Sequence, residues 1–204
     1  MSNKLGQSQF RSDLFKIYEL IPKETKVLDL GCGDGTLLNL LIKGKNVKGT
    51  GIEISQENIF KCVKNDVPVV HGNLNDGLQE FQDMAFDIVI LSRTLQSVYR
   101  PDQLLTEMTR IGKTVIVSFI NFGFITNRYQ LMFHGKMPMT KTLPDFWYNT
   151  QNIHLGTIKD FQQLCCKLNI KITNKIPLGN KVIPLAKIWP NMFSSTCVFT
   201  LTSQ

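Results

Sequence analysis

Apolar positions change period repeatedly within the first 120 residues. Between Phe10 and Leu20 they fall at Phe10, Leu14, Ile17 and Tyr18, the spacing of one helix face. Lys26 to Leu30 is a short β-like run ending in glycines, and Leu37 to Ile42 reads as helix again. Val47 to Ile54 predicts a second strand, after which Ser55 and Glu57 open a helix reaching about Lys64. Val67 to His71 predicts a third strand. Phe86 to Leu91 is almost continuously apolar, as a strand covered on both faces requires. Pro101 suits a first helical turn and begins the next helix. Thr114 to Phe119 predicts a fifth strand. This alternation implies an α/β fold: a single doubly wound, mostly parallel sheet with helices on both faces.

The pattern lapses between Asn121 and Gly156, a stretch rich in aromatics and Asn with no clear period. It is expected to form a long loop or lid, at 121–156, within a single domain spanning 1–204; loops of that length are usually functional. Thr157, with Asp160 three residues later, then marks a helix start leading to Leu168. Ile170 to Ile176 and Cys197 to Leu201 read as closing strands, an antiparallel pair.

Composition narrows the class. The chain has 204 residues, 43% hydrophobic and 19% charged, enough for one domain with a substantial core. No run of 18 apolar residues predicts a membrane span. Met1 to Phe10 is polar and lacks the apolar centre of a signal peptide, so a cytoplasmic location is expected. The five cysteines (Cys32, Cys62, Cys165, Cys166 and Cys197) form no C-x-x-C pair and are expected to be reduced thiols, with no metal site. The net charge of +7 is one-sided. Residues 1–120 hold 14 basic and 14 acidic side chains, whereas 121–204 hold 9 basic and only Asp145 and Asp160 as acids. Such an excess suits an acidic protein partner, an anionic substrate or a plain solvated face. No nucleic-acid motif accompanies it.

The strongest chemical signal is Val27-Leu28-Asp29-Leu30-Gly31-Cys32-Gly33-Asp34-Gly35. A buried strand runs into glycines at alternate positions and then into a helix. Glycine belongs where the chain turns tightly and where a ligand touches backbone. The helix N-terminus offers N–H groups to a ligand carboxylate. Asp29, at the strand end, is placed to take an ammonium group, directly or through water. Glu53, 22 residues after Gly31 and followed by Ile54, is the expected acceptor for ribose hydroxyls. Gly72-Asn73-Leu74 follows the third strand and is placed to meet an adenine edge. Ser92 lies after the fourth strand, beside the crevice at the strand C-termini. A dinucleotide fingerprint would want glycine at position 36, where Thr36 stands, so NAD is disfavoured. Asp29-x-Gly31-x-Gly33-x-Gly35 instead resembles motif I of the class I methyltransferases. That resemblance implies S-adenosylmethionine or S-adenosylhomocysteine, with the glycines near the methionine part and Glu53 on the ribose.

A second resemblance lies further along. Leu91 to Val98 (LSRTLQSV), Ser118 to Gly123 (SFINFG), Gly135 to Lys141 (GKMPMTK) and Leu143 to Leu155 (LPDFWYNTQNIHL) with Thr157 to Phe161 (TIKDF) are similar to motifs of the MetW-type methionine-biosynthesis proteins. The likeness spans roughly Lys26 to Ile176. Where that family usually has Asp, Gln, Pro and Pro, this chain has Asn73, Arg93, Ile120 and Gln151. The resemblance implies a role in methionine synthesis alongside homoserine O-acetyltransferase, which makes O-acetylhomoserine. It leaves open whether a methyl group is transferred. An accessory partner of the acetyltransferase is the leading expectation, and a small-molecule methyltransferase the alternative. No residue is singled out as catalytic; His134, Tyr148 and His154 are the loop groups able to serve as a base. Trp147, Tyr148, Arg128 and Lys141 are expected at the partner interface, with a lid over the core as the competing role for the aromatics.

Overall fold

The computed structural model describes residues 11–179 and 185–203. The first predicted helix is α1, Ser12–Leu20. Its expected first residue, Phe10, and the polar segment Met1 to Phe10 lie outside the described residues. The remaining order is β1 (Lys26–Leu30), α2 (Thr36–Lys45), β2 (Lys48–Glu53), α3 (Gln56–Lys64), β3 (Val69–His71), β4 (Phe86–Ser92), α4 (Pro101–Ile111), β5 (Gly112–Ile120), α5 (Ile125–His134), α6 (Ile158–Lys167), β6 (Ile170–Leu178), α7 (Leu185–Ile188), α8 (Pro190–Phe193) and β7 (Thr196–Ser203). Among the described residues, no helix is long and apolar enough to cross a membrane.

The strands form one seven-stranded sheet in the order β3-β2-β1-β4-β5-β7-β6. The first five are parallel, and β7 runs antiparallel between β5 and β6. Period-two alternation divides the strands between two cores. Leu28, Leu30, Val89, Leu91, Val115 and Val117 face one side with Leu105 and Met108 of α4 and Phe161 of α6. Val27, Ile88, Ile90 and Ile116 face the other with Ile17 of α1 and Leu38 and Leu41 of α2. Both sheet faces are therefore covered, which is why the central strands read as unbroken apolar runs. Phe119 and Phe199 stack across the antiparallel joint, with ring centroids 5.8 Å apart.

Local signals account for most boundaries. The Ser55 side chain caps α3 by accepting from Asn58 N, and Pro101 opens α4. Thr157 and Asp160 form a reciprocal capping box at α6. The stretch 121–156 departs from its expected loop character, because it contains the ten-residue helix α5. This helix ends at Gly135 in left-handed conformation, φ +59°. Its inward residue is Asn127, whose amide donates to the carbonyls of Asn121 and Phe122, while Tyr129, Met132 and Phe133 are exposed. An amide thus stands where a helix normally carries an apolar stripe, so no helical period was visible. From 135 to 156 no residue is in helix or strand.

Candidate functional site

The carboxyl ends of the parallel strands converge on a cleft of about 660 Å³. One wall is the loop between β1 and α2. Gly31, Gly33 and Gly35 all adopt left-handed backbone, with φ of +67°, +60° and +75°. L-residues rarely adopt it, so glycine is favoured at each. The three glycines face different surroundings. A Cβ on Gly31 would meet Thr94 Oγ1 at 2.7 Å, and one on Gly35 would meet Cys62 Sγ at 2.9 Å. A Cβ on Gly33 would meet no protein atom within 4 Å, because that face opens into the cleft. Gly31 and Gly35 are therefore fixed by packing, while Gly33 keeps the cleft clear.

Glu53, at the end of β2, holds the loop. Its carboxylate accepts from Gly33 N at 2.8 Å, Ser55 N at 2.9 Å and Ile54 N at 3.0 Å. It joins two strand ends as well as facing the cleft, a duty its expected role as ribose acceptor did not include. Asp29 lies at the end of β1, almost wholly buried, and its Oδ1 has no hydrogen-bond partner among the described residues. Burial pushes its carboxyl up to about 7; Arg11 opposes this and the Glu53 charge adds to it. Cys32 and Cys62 sit behind the loop with sulfurs 4.0 Å apart, and the Cys62 thiol faces Gly33 O at 3.2 Å. Burial raises both thiols, so they act as small space-filling groups.

The third strand end supplies Asn73 and Leu74. Asn73 caps a short turn: its Oδ1 accepts from both the backbone and the side-chain nitrogen of Asn75, each at 3.1 Å. Both lone pairs of that oxygen are engaged, so the amide nitrogen is the group left for a ligand. Ser92, at the end of β4, joins a cluster that sequence reasoning did not anticipate. Asp13, fully buried on α1, binds Arg11 through both oxygens at 3.2 and 2.7 Å, accepts from Ser118 at 3.1 Å, and lies 3.0 Å from Arg93 Nε. Burial pushes the Asp13 carboxyl up, but Arg11, Arg93 and Ser118 outweigh it and hold the group below its ordinary value. Arg11 also donates to Ser92 Oγ at 3.0 Å. Arg93 has left-handed backbone, φ +60°, a strained state for a large side chain.

Of the expected site residues, Gly31, Gly33, Glu53, Ile54, Asn73, Leu74 and Ser92 line the cleft, whereas Asp29 and Gly35 lie behind it. Arg11, Arg93, Tyr99, Gln151 and Ile153 line it without having been expected there. Gln96, also unforeseen as a site element, brings Gln151 and Ile153 to the rim. Its carbonyl accepts from Ile153 N and His154 N, its amide donates to His154 O at 2.9 Å, and its Oε1 accepts from Ile120 N at 2.9 Å. Its place within a motif was visible; its burial was not. Phe146, Trp147 and Tyr148 are 51%, 71% and 70% exposed and do not line the cleft, and neither do His134 or His154.

Sheet order, glycine loop and second-strand acid together define a class I S-adenosylmethionine-dependent methyltransferase fold. Solved structures share it: a methyltransferase from Mesorhizobium loti aligns with TM-score 0.69 at 11% identity, covering 93% of this chain and 97% of that one. One from Archaeoglobus fulgidus aligns with TM-score 0.66 at 16% identity, covering 92% and 90%. Within this class, residues 11–201 match the family described as methionine biosynthesis protein MetW, and the chain belongs to that family. It is also 38% identical over 169 residues to the bifunctional methionine biosynthesis protein MetXA/MetW of Rhodopirellula baltica. The match covers 78% of this chain but only 27% of that relative's length.

Proposed function

We propose that the chain binds S-adenosylmethionine or S-adenosylhomocysteine in the cleft and acts in the cytoplasm as the partner of homoserine O-acetyltransferase in O-acetylhomoserine formation. The observation that carries the ligand reading is the open face of Gly33 on the cleft, supported by the partnerless carboxyl oxygen of Asp29 buried behind the glycine loop. A buried carboxylate without a partner suits the ammonium of a methionyl group. Gly31, Gly33 and Gly35 would run beside that group and Glu53 would take the ribose. Ile54 and Leu74 would flank the adenine, Asn73 would donate to its edge, and Ser92 would face the sulfur end. Calorimetry tests this: S-adenosylhomocysteine binds in the micromolar range and NAD far more weakly. Glu53→Ala weakens binding by about 1–3 kcal/mol, roughly 5- to 150-fold. A tighter affinity for NAD overturns the reading.

The partner reading is supported by the Rhodopirellula relative, which carries the MetXA and MetW names on one chain. It is supported too by the exposed apolar side chains of 121–156. Tyr129, Met132 and Phe133 of α5 connect through two hydrogen bonds between Gln130 and Met139 to a shallow depression shared by Met137 and Trp147. Aromatic and methionine side chains are typical interface anchors. Co-expression with homoserine O-acetyltransferase, then co-purification at low salt and an acetylation assay, tests this. Failure of the two folded proteins to co-purify, with the nucleoside present, sinks it and leaves methyl transfer as the leading function.

A further inference from the structure

A second cavity of about 450 Å³ adjoins the cleft, and Arg93, Ser97 and Gln151 border both. Its polar lining includes Arg93, Ser97, Asp145, Asn149, Gln151 and Asn152. Two of these are charged, with opposite signs. Among the described residues, neither terminal nitrogen of Arg93 donates a hydrogen bond, and its Nε lies within 3.0 Å of Asp13 without hydrogen-bond alignment. Asp145 is in no ion pair among the described residues.

Arg11 and Arg93 share the carboxylate of Asp13, but Arg11 hydrogen-bonds both of its oxygens and also acts on the Asp29 carboxyl, which leaves Arg93 the less completely paired of the two. Arg93 is largely buried, with 22% of its side chain exposed, and an incompletely paired guanidinium in such a place favours an incoming anion. Its fork suits a carboxylate in particular. Arg93 has strained backbone and lies at the boundary between the cavities, and strain of this kind collects at ligand sites. Asp145 argues against a ligand with a second negative charge, such as a dicarboxylate or a phosphate ester, and favours a cationic group instead. The amides of Asn149, Gln151 and Asn152 suit a polar remainder. The Gln96 hydrogen bonds fix residues 153 and 154, next to Gln151 and Asn152, to the end of β5, which anchors one end of this wall.

We infer that the cavity beyond Arg93 binds a small free α-amino acid, with Arg93 taking its carboxylate and Asp145 its ammonium group. The site would sit beside the nucleoside, and the inference rests on the nucleoside reading only for that neighbour. L-homoserine is the probe, compared with 3-aminopropan-1-ol, which lacks the carboxylate, and 4-hydroxybutyrate, which lacks the ammonium group. Protein saturated with S-adenosylhomocysteine is titrated with each by calorimetry. L-homoserine is expected to bind at least tenfold tighter than either analogue. Arg93→Gln should erase its preference over 3-aminopropan-1-ol. Asp145→Asn, at an exposed position outside the cleft, should erase its preference over 4-hydroxybutyrate and leave nucleoside affinity within twofold. Two outcomes overturn the inference: no binding of L-homoserine to the saturated protein, or loss of nucleoside affinity in Arg93→Gln with L-homoserine binding intact. The second would assign Arg93 to the nucleoside's own carboxylate. Because the nucleoside titration comes first, failure there tells against the ligand reading of the cleft and is distinct from failure here.

Discussion

The cleft and the stretch 121–156 are built on opposite plans. Around the cleft, each strand end is tied to its neighbours by short backbone contacts. Gly31 N and Cys32 N both donate to Ile52 O, and Glu53 collects three N–H groups. Charges in residues 1–120 balance, and the apolar side chains are mostly interior. Residues 135–156 have no ladder. They are held at a few points, by Gln130 on Met139, by the Thr140–Leu143 turn and by Gln96 on residues 153 and 154. Most of their large side chains face outward, Leu143 being the buried exception. A preorganised pocket limits the freedom lost when a small ligand binds, whereas a surface held at few points can adapt to a protein. The contrast supports the proposed nucleoside for the cleft and the proposed partner for the other region.

The contrast breaks most sharply at Gly33. Gly33→Val puts a β-branched side chain into the open face of the loop and should remove detectable S-adenosylhomocysteine binding by calorimetry. Left-handed strain should lower stability by about 1–3 kcal/mol while the circular dichroism spectrum stays native. The same change at Gly31 or Gly35 meets Thr94 or Cys62 and should cost stability first. Normal binding by Gly33→Val would show that the ligand lies elsewhere.

Next in size is Trp147. Trp147→Ala should weaken the complex with homoserine O-acetyltransferase by about 2 kcal/mol, roughly 30-fold, with nucleoside affinity unchanged. Surface plasmon resonance and calorimetry read the two quantities separately. The reverse pattern would make the aromatic segment a lid and merge the two regions into one site.

Asp29 gives a smaller, graded effect. Burial lifts its carboxyl from 3.8 to about 7, so the folded chain holds that proton more tightly than the unfolded one. Its stability contribution is therefore full below pH 3.8 and is lost as pH rises through about 7. An ammonium ligand prefers the ionised form, so nucleoside affinity should fall about tenfold per pH unit below 7. Asp29→Asn should flatten both trends in titrations between pH 5.5 and 8. A flat profile in the unaltered protein would separate Asp29 from the ligand. The smallest effect belongs to charge: Lys141→Gln should slow association with the acetyltransferase by about two- to threefold at low salt and not at high salt.

What could be read along the chain was what is local. The five parallel strands follow from short apolar runs between turn residues, and the α6 start from Thr157 and Asp160, three positions apart. The glycine loop and Glu53 are legible because tight turns and strand ends restrict residue type. The α5 helix was not, because it buries Asn127 and exposes Tyr129, Met132 and Phe133. The Asp13–Arg93 pair joins residues 80 positions apart, and no periodicity encodes that meeting. Asn73 shows a finer limit: its residue type allowed an acceptor, but Asn75 two positions on consumes the oxygen.

The antiparallel strand β7 also has a consequence for synthesis. Ile120, at the end of β5, pairs with Thr196, which leaves the ribosome 76 residues later. At 5–20 residues per second the wait is roughly 4–15 s. For that interval β5 presents an unpaired, strongly apolar edge bearing Val115, Val117 and Phe119, the kind of edge that recruits strands from other chains. Slower initiation or a lower growth temperature, which reduces encounters between nascent chains, should therefore raise the yield of correctly folded protein more than added nucleoside does, since the cleft's own strands are complete before β7 emerges.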